Sequence, residues 1–160
     1  MEPSTTFVLV VGSAAVNGLL AGASLDQSLK QLPARFTIGH VAYSKYSRAA
    51  DLGYGIALYS VLGVGAALLA IAAAWSAHHD SAPSAAATPL YIGAAVAVFH
   101  SICTTQAAPT LSGQRRVADD EDALRRLFAK FQRWQTLRCS LQLFGFGVAL
   151  WAVVVYAAIH

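Results

Sequence analysis

The sequence predicts an all-α fold, a transmembrane four-helix bundle, and two observations carry that prediction. The first is apolarity. The chain has 160 residues, 56% of them apolar, with mean hydropathy +0.52 and only 12% charged residues. A soluble domain of this length carries roughly 25% charged residues. Four stretches reach the ~20 apolar residues that a spanning helix needs. The second observation is charge placement. All eleven Lys and Arg residues lie in two segments. Lys30, Arg35, Lys45 and Arg48 follow the first stretch. Arg115, Arg116, Arg125, Arg126, Lys130, Arg133 and Arg138 follow the third, the last of them just inside the fourth. The N-terminus, the loop Ser76–Thr88 and the C-terminus have none. Such alternation predicts cytoplasmic basic loops and both termini on the other side. It fits a bacterial inner membrane or the endoplasmic reticulum. The net charge of +3 and the pI near 9.1 then belong to topology. No aromatic–basic interleaving argues for nucleic acid.

The first stretch is Thr5 to Leu25. It lacks a basic lead-in and a small-residue cleavage site, so it reads as a retained helix. Gly18 and Gly22 form a G-x-x-x-G step, which either packs helices within the chain or joins two protomers. The loop Asp26–Ala50 follows, with an interfacial helix expected near Val41–Arg48 and Tyr43 and Tyr46 at headgroup level. The second stretch is Asp51–Trp75. The loop Ser76–Thr88, rich in Ala and Ser with Pro83, is expected to be short and unstructured. The third stretch is Thr88–Ala107, ended by Pro109. Asp119–Arg133 reads as a short helix with acidic residues first and basic residues last, as the helix dipole prefers. Leu124, Leu127, Phe128 and Phe131 give it an apolar face. It leads, straight or bent, into the fourth stretch, Gln135–Ile159. All 160 residues form a single domain in this reading.

Inside hydrocarbon a strongly polar side chain costs on the order of 2–3 kcal/mol and turns toward the bundle interior. Depth from the basic side follows from 1.5 Å per residue: about 12 Å for Asn17 and Tyr59, about 10 Å for His100 and Gln142, about 5 Å for Arg138. Four helices thus bring Asn17, Tyr59, His100 and Gln142 to one level. Gln135, Arg138, Gln142 and Gly145 share one stripe, His100, Cys103 and Thr104 another, Ser13, Asn17 and Ser24 a third. A polar pocket in the inner half of the bundle is expected. For Asn17 and Gln142 the plain alternative is helix tying by hydrogen bonds. For His100 it is a packed neutral ring. For Arg138 it is snorkelling, against pairing with a ligand anion, Asp26 or Asp51. His78 and His79 read as solvated, and His160 as a frayed end.

His100-x-x-Cys103 offers two possible metal ligands on one face. A closed zinc site needs four, and no other His or carboxylate lies at that depth. Haem on His100 would need a larger pocket than four short helices enclose. Neither metal nor haem is expected.

Three features carry a family resemblance. The first helix has Asn17-Gly18-Leu19-Leu20-Ala21-Gly22 running to Leu25-Asp26. Ala108-Pro109 follows the third. An amphipathic segment then leads into Phe131-Gln132-Arg133-Trp134-Gln135-Thr136-Leu137-Arg138. Together they resemble the anthrone-oxygenase-like family of small four-helix membrane proteins. Phe131, Gln135 and Arg138 match the family's aromatic–x3–(Asn/His)–x2–Arg spacing, with Gln in place of Asn or His. The resemblance implies an oxygenase that needs molecular oxygen as co-substrate and no bound metal, haem or flavin. Its substrate would be a lipophilic, anthrone-like polyketide with an acidic C–H. Removal of that proton calls for one base, donors to an oxyanion and an apolar slot. His100 is the expected base. Arg138, Asn17 and Gln142 are the expected donors, with Gln135 beside them. Tyr54, Tyr59, Phe99, Trp134 and Phe146 are the expected slot. The reading from another class is a non-catalytic membrane protein that holds a lipid, a quinone or a partner helix. In both readings the partners are the lipid bilayer and a lipophilic small molecule, with a homo-oligomer open through Gly18 and Gly22.

Overall fold

Thr5–Asp26 form α1, which Ser4 caps: Phe7 N–H donates to Ser4 Oγ (3.2 Å). These coordinates are a computed structural model that describes residues 4–117 and 119–159; His160 lies outside them. The chain continues through a π-helical segment, Gln27–Gln31, and a 3-10 turn, Leu32–Ala34. Then come α2 (Arg35–Ile38), α3 (His40–Ala49), a second π segment (Ala50–Tyr54) and α4 (Gly55–His79). Next are α5 (Ser84–Ser112), a 3-10 turn (Gly113–Arg115) and α6 (Glu121–Ile159). The protein is an all-α four-helix bundle, with no strand among the described residues. Four helices are long and apolar enough to cross a membrane. They pack in a ring: α1 touches α4 and α6, and α5 touches the same two.

Small residues make that ring tight. Ala66, Ala70, Ala73 and Ala77 of α4 are buried, while Val61, Val64, Leu68, Ile71 and Trp75 point outward. Lipid tails match large apolar side chains, so the helix spends its small ones on close contact. At the end bearing both termini, Val10, Ala73, Leu90, Ala152 and Tyr156 share one core. Thr6 Oγ1 donates to Asp80 Oδ2 (2.6 Å) and lies 2.6 Å from Ser76 Oγ, tying α1 to the end of α4.

The basic end is more ordered than the sequence suggested. The loop Asp26–Ala50 is helical almost throughout and folds over the bundle as a cap. Leu32, Tyr43, Leu52, Leu124, Phe128 and Phe131 form its core. Tyr43, expected at headgroup level, is therefore buried, whereas Tyr46 is exposed. The Tyr43 ring meets Phe128 edge-on at 5.0 Å, an arrangement aromatic quadrupoles favour. A polar chain runs beside it: Ser44 Oγ donates to Gln114 Oε1 (3.0 Å), Gln114 Nε2 to Ser47 Oγ (3.1 Å), and Ser47 Oγ to Asp51 Oδ2 (2.7 Å). Glu121 caps α3. It accepts the N–H groups of His40 (3.2 Å) and Val41 (3.3 Å) and pairs with His40 Nδ1 at 2.8 Å. The His40 bonds hold the Glu121 carboxyl below the usual Glu range. Its stabilising share is complete above that usual range and fades as the pH falls through the lowered value.

Two further expectations are corrected. The loop Ser76–Thr88 shrinks to Asp80–Pro83, because α4 runs on to His79 and α5 begins at Ser84. Pro109 does not end the third helix, which continues to Ser112. Pro109 removes the donor for Thr105 O, which costs the helix one bond without ending it. The neighbouring hydroxyls go to other carbonyls, Thr105 Oγ1 to Ile102 O (2.7 Å) and Thr110 Oγ1 to Gln106 O (2.8 Å). The amphipathic segment joins the fourth span without a bend, as one helix of 39 residues.

Gly39 turns the chain between α2 and α3 at φ +86°, where a Cβ is disfavoured. Gly39→Ala is expected to lower stability by about 1 kcal/mol, read from thermal unfolding in detergent. Gly22→Ala, whose Cβ meets nothing within 4 Å, should leave the midpoint unchanged.

Candidate functional site

Three helices bring polar side chains to one internal cavity, and the fourth closes it. His100 of α5 and Gln142 of α6 are 7% and 3% exposed. Their side chains meet, Gln142 Nε2 standing 2.7 Å from His100 Nε2. An amide NH2 only donates, so the ring nitrogen accepts and the imidazole proton sits on Nδ1. Gln142 Oε1 is buried and has no partner among the described residues. Asn17 of α1 faces the pair across the cavity. Its amide donates to Ser13 O (2.8 Å) and Ser13 Oγ (3.3 Å). The wall is completed by small residues: Gly63, Ala66 and Ala67 of α4, Gly93 and Ala97 of α5, and Gly145 of α6. A Cβ on Gly145 would stand 3.3 Å from Val96 Cγ1 and 3.9 Å from Asn17 Oδ1. The glycine therefore lets α6 approach α5 and α1 at this level. Its free volume is about 30 Å³, enough to admit water.

A second polar layer lies one turn nearer the basic end. Arg138 Nη1 donates to Gln135 Oε1 (3.0 Å), and Gln135 Nε2 donates to Ser28 Oγ (3.2 Å) in the π segment after α1. Arg138 Nε is buried without a partner among the described residues. Among the described residues no carboxylate pairs with Arg138. Asp26 takes Lys30 and Gln31, and Asp51 takes Ser47. Arg138 and Gln135 are thus set against the bundle, but they do not line the cavity.

The aromatic residues expected as a slot are scattered. Phe146 is half-buried against Gly18, where a Cβ would come within 2.9 Å of its ring. It belongs to the α1–α6 contact. Trp134 packs on the cap core. Tyr59 is half-buried on α4, its ring close to Gly55. Tyr54 and Phe99 are 94% and 62% exposed and point away from the cavity. Phe99 adjoins His100 on α5, about 100° further round the helix, and its ring turns outward while His100 turns in. Tyr54 follows Gly53, whose non-helical φ/ψ (−94°, −117°) turns the chain where the second π segment meets α4.

Cys103 is buried one turn from His100, and Thr104 Oγ1 donates to His100 O (2.9 Å). Among the described residues no three His, Cys, Asp or Glu side chains cluster as metal ligands. Sequence reasoning missed the small-residue wall of α4 and α5, although Gly63/Ala67 and Gly93/Ala97 each repeat at i, i+4, a legible one-face spacing. It also missed the Ser44–Gln114–Ser47–Asp51 chain, whose only local sign is the i, i+4 pair Ser47/Asp51. No family model matches this chain, and no curated protein or solved structure is significantly similar to it.

The His100–Gln142 bond predicts its own test. Gln142→Leu removes the partner of a buried ring nitrogen and is expected to lower stability by about 1–2 kcal/mol. Gln142→Glu, which can still meet the ring, should lose less. Unfolding curves of both variants in detergent check the order.

Proposed function

We propose that this protein is a membrane-embedded, cofactor-independent oxygenase acting on a lipophilic aromatic substrate of the anthrone type, with His100 as the base. The observation that carries the reading is the buried His100–Gln142 pair in a cavity shared by all four long helices. The unprotonated Nε2 of His100 takes the proton from the carbon opposite the substrate carbonyl. The new Nε2–H then needs an acceptor. Gln142 Oε1, otherwise partnerless, becomes that acceptor when the amide turns over. Asn17 on the facing wall supplies an amide dipole to the oxyanion. Arg138, one turn nearer the basic end, adds positive field. The carbanion passes one electron to O2, and the two radicals combine as a peroxide anion, which takes the proton from His100 and becomes a hydroperoxide. His100 then removes the remaining C–H proton as the O–O bond breaks, and the hydroxide leaves with that proton as water while the second carbonyl forms. Carbon is oxidised, O2 is reduced, and the base is restored.

The rings themselves do not fit a space of about 30 Å³; a pocket for a drug-sized molecule measures roughly 300 Å³ or more. They would enter by parting α4 from α5 along Gly63, Ala67, Gly93 and Ala97. Of the four long helices α4 is the least buried, with 17% of its apolar window inside, so it has the least packing to lose. The same small volume favours a second reading, a non-catalytic membrane protein whose cavity holds a small polar guest while a lipid, quinone or partner helix sits outside.

Oxygen uptake by purified protein supplied with anthrone separates them. The wild type is expected to turn over, and His100→Ala to lose about 100-fold or more. If His100→Ala and Arg138→Ala both keep full turnover, the base mechanism is wrong. Binding of anthrone without oxygen uptake would favour the second reading.

The charge pattern further supports cytoplasmic basic loops and outward termini. Cysteine substitutions report on this, because Cys103 and Cys139 are buried. A membrane-impermeant maleimide on intact cells should label Ser81→Cys and spare Arg116→Cys. The reverse pattern would invert the topology.

A further inference from the structure

The exposed face of α6 changes character along its length while the helix runs unbroken. At 1.5 Å per residue its 39 residues span about 58 Å. A bilayer with its headgroups is roughly 40–45 Å thick, so more than two turns must project. One outward stripe connects both parts. Arg126, Lys130 and Arg133 are followed at the same spacing by Leu137, Phe144 and Trp151, and all six are exposed. The apolar members mark hydrocarbon. Relative to Leu137, Arg133 lies about 6 Å outward, Lys130 about 10 Å and Arg126 about 16 Å. The headgroup layer on one side is roughly 5–8 Å deep. Arg133 therefore sits at headgroup depth and Lys130 at its rim. Arg126 lies beyond it, about one Debye length from the rim.

These cations are free, unlike several others. Lys30 pairs with Asp26, and Lys45 and Arg48 pair with Asp119. Arg35 is buried on Gln132 and Leu32 O. Among the described residues Arg126, Lys130 and Arg133 form no ion pair, not even with Asp122 one turn before Arg126. The opposite face of the same turns is spent on the cap core through Leu124, Phe128 and Phe131. The cationic stripe stays open.

We propose that Arg126, Lys130 and Arg133 form a binding surface for anionic phospholipid headgroups, with the acyl chains lying along Leu137 and Phe144. The occupant follows from charge and depth: a negative headgroup at the level of unpaired Arg133, within reach of Lys130 and in the field of Arg126, continuous with an apolar face that takes its tails. The surface does not depend on the reaction proposed at His100. It depends on α6 crossing a bilayer.

Native mass spectrometry of the full-length protein in detergent tests it, with equal amounts of dioleoylphosphatidylglycerol and dioleoylphosphatidylcholine added. The wild type is expected to enrich the anionic lipid at least tenfold, because each interfacial cation is worth roughly fivefold. Arg126→Gln/Lys130→Gln/Arg133→Gln should fall to near parity. Lys45→Gln/Arg48→Gln, which removes cations already paired with Asp119, should keep most of the preference. Should the triple variant not fold, Arg133→Gln alone is expected to lose about fivefold. Parity in the wild type overturns the proposal. So does unchanged enrichment in the triple variant, or in Arg133→Gln where that variant stands in for it. A loss as large in Lys45→Gln/Arg48→Gln reduces the effect to net charge and overturns it too.

Discussion

Hydrocarbon offers no hydrogen-bond partner, and every polar group carried into it must find one inside the bundle. That constraint arranges this molecule. Asn17 turns back on Ser13, Gln142 reaches His100, and Gln135 ties Arg138 to Ser28. None of these side chains can face acyl chains cheaply, so each fixes the rotation of its own helix. Once three helices are oriented by their polar residues, the small ones fall between them and permit close approach. The large apolar residues are left for the outside, as Val61, Leu68 and Trp75 show on α4.

α6 carries the constraint from end to end. Its buried stripe begins with Leu124, Phe128 and Phe131 in the cap, continues through Gln135, Cys139 and Gln142, and ends with Val148, Ala152 and Tyr156. An unbroken helix transmits position along its axis. The cap core therefore sets the height and rotation at which Gln142 presents its amide to His100. Gly145 then lets the helix come close enough for the pair to form. The cap is in turn held by bonds of a different kind, among them Arg115 Nη2 to Leu52 O (2.7 Å) and Glu121 on the first N–H groups of α3.

Depth was legible in the sequence, and rotation was not. The spans follow from apolar length, and a rise of 1.5 Å per residue is enough to put His100, Gln142 and Asn17 at one height. The same arithmetic included Tyr59, which does not line the cavity, because height says nothing about which way a side chain points. Phe99, expected in the slot, is 62% exposed beside a buried His100, a difference of rotation between neighbours. For Tyr54 the direction was hidden, since it depends on the backbone at Gly53. The cap was the least legible part. Residues 26–50 have no long apolar run, and Tyr43, Ser44 and Ser47 are buried only because Gln114 and Phe128, some 70 residues or more away, come to meet them. Tertiary partners at that separation leave no local period to read.

The two polar layers differ in charge, and the difference follows depth. The deeper layer, His100 with Gln142 and Asn17, is built from groups that can all be neutral. The layer nearer the basic end contains a guanidinium, Arg138, on a neutral acceptor. A fixed cation is costly at the centre of a bilayer and cheaper toward its edge, where water and headgroups reach it. A residue that must carry charge permanently is therefore held at the edge. One that can gain and lose a proton can sit deeper, provided its partner can both donate and accept. A glutamine does both through its two amide atoms, which a leucine or a lysine in its place could not. The ordering of Arg138 below Gln142 and His100 thus keeps the permanent charge where it is least expensive and leaves the deeper level to groups that can be neutral.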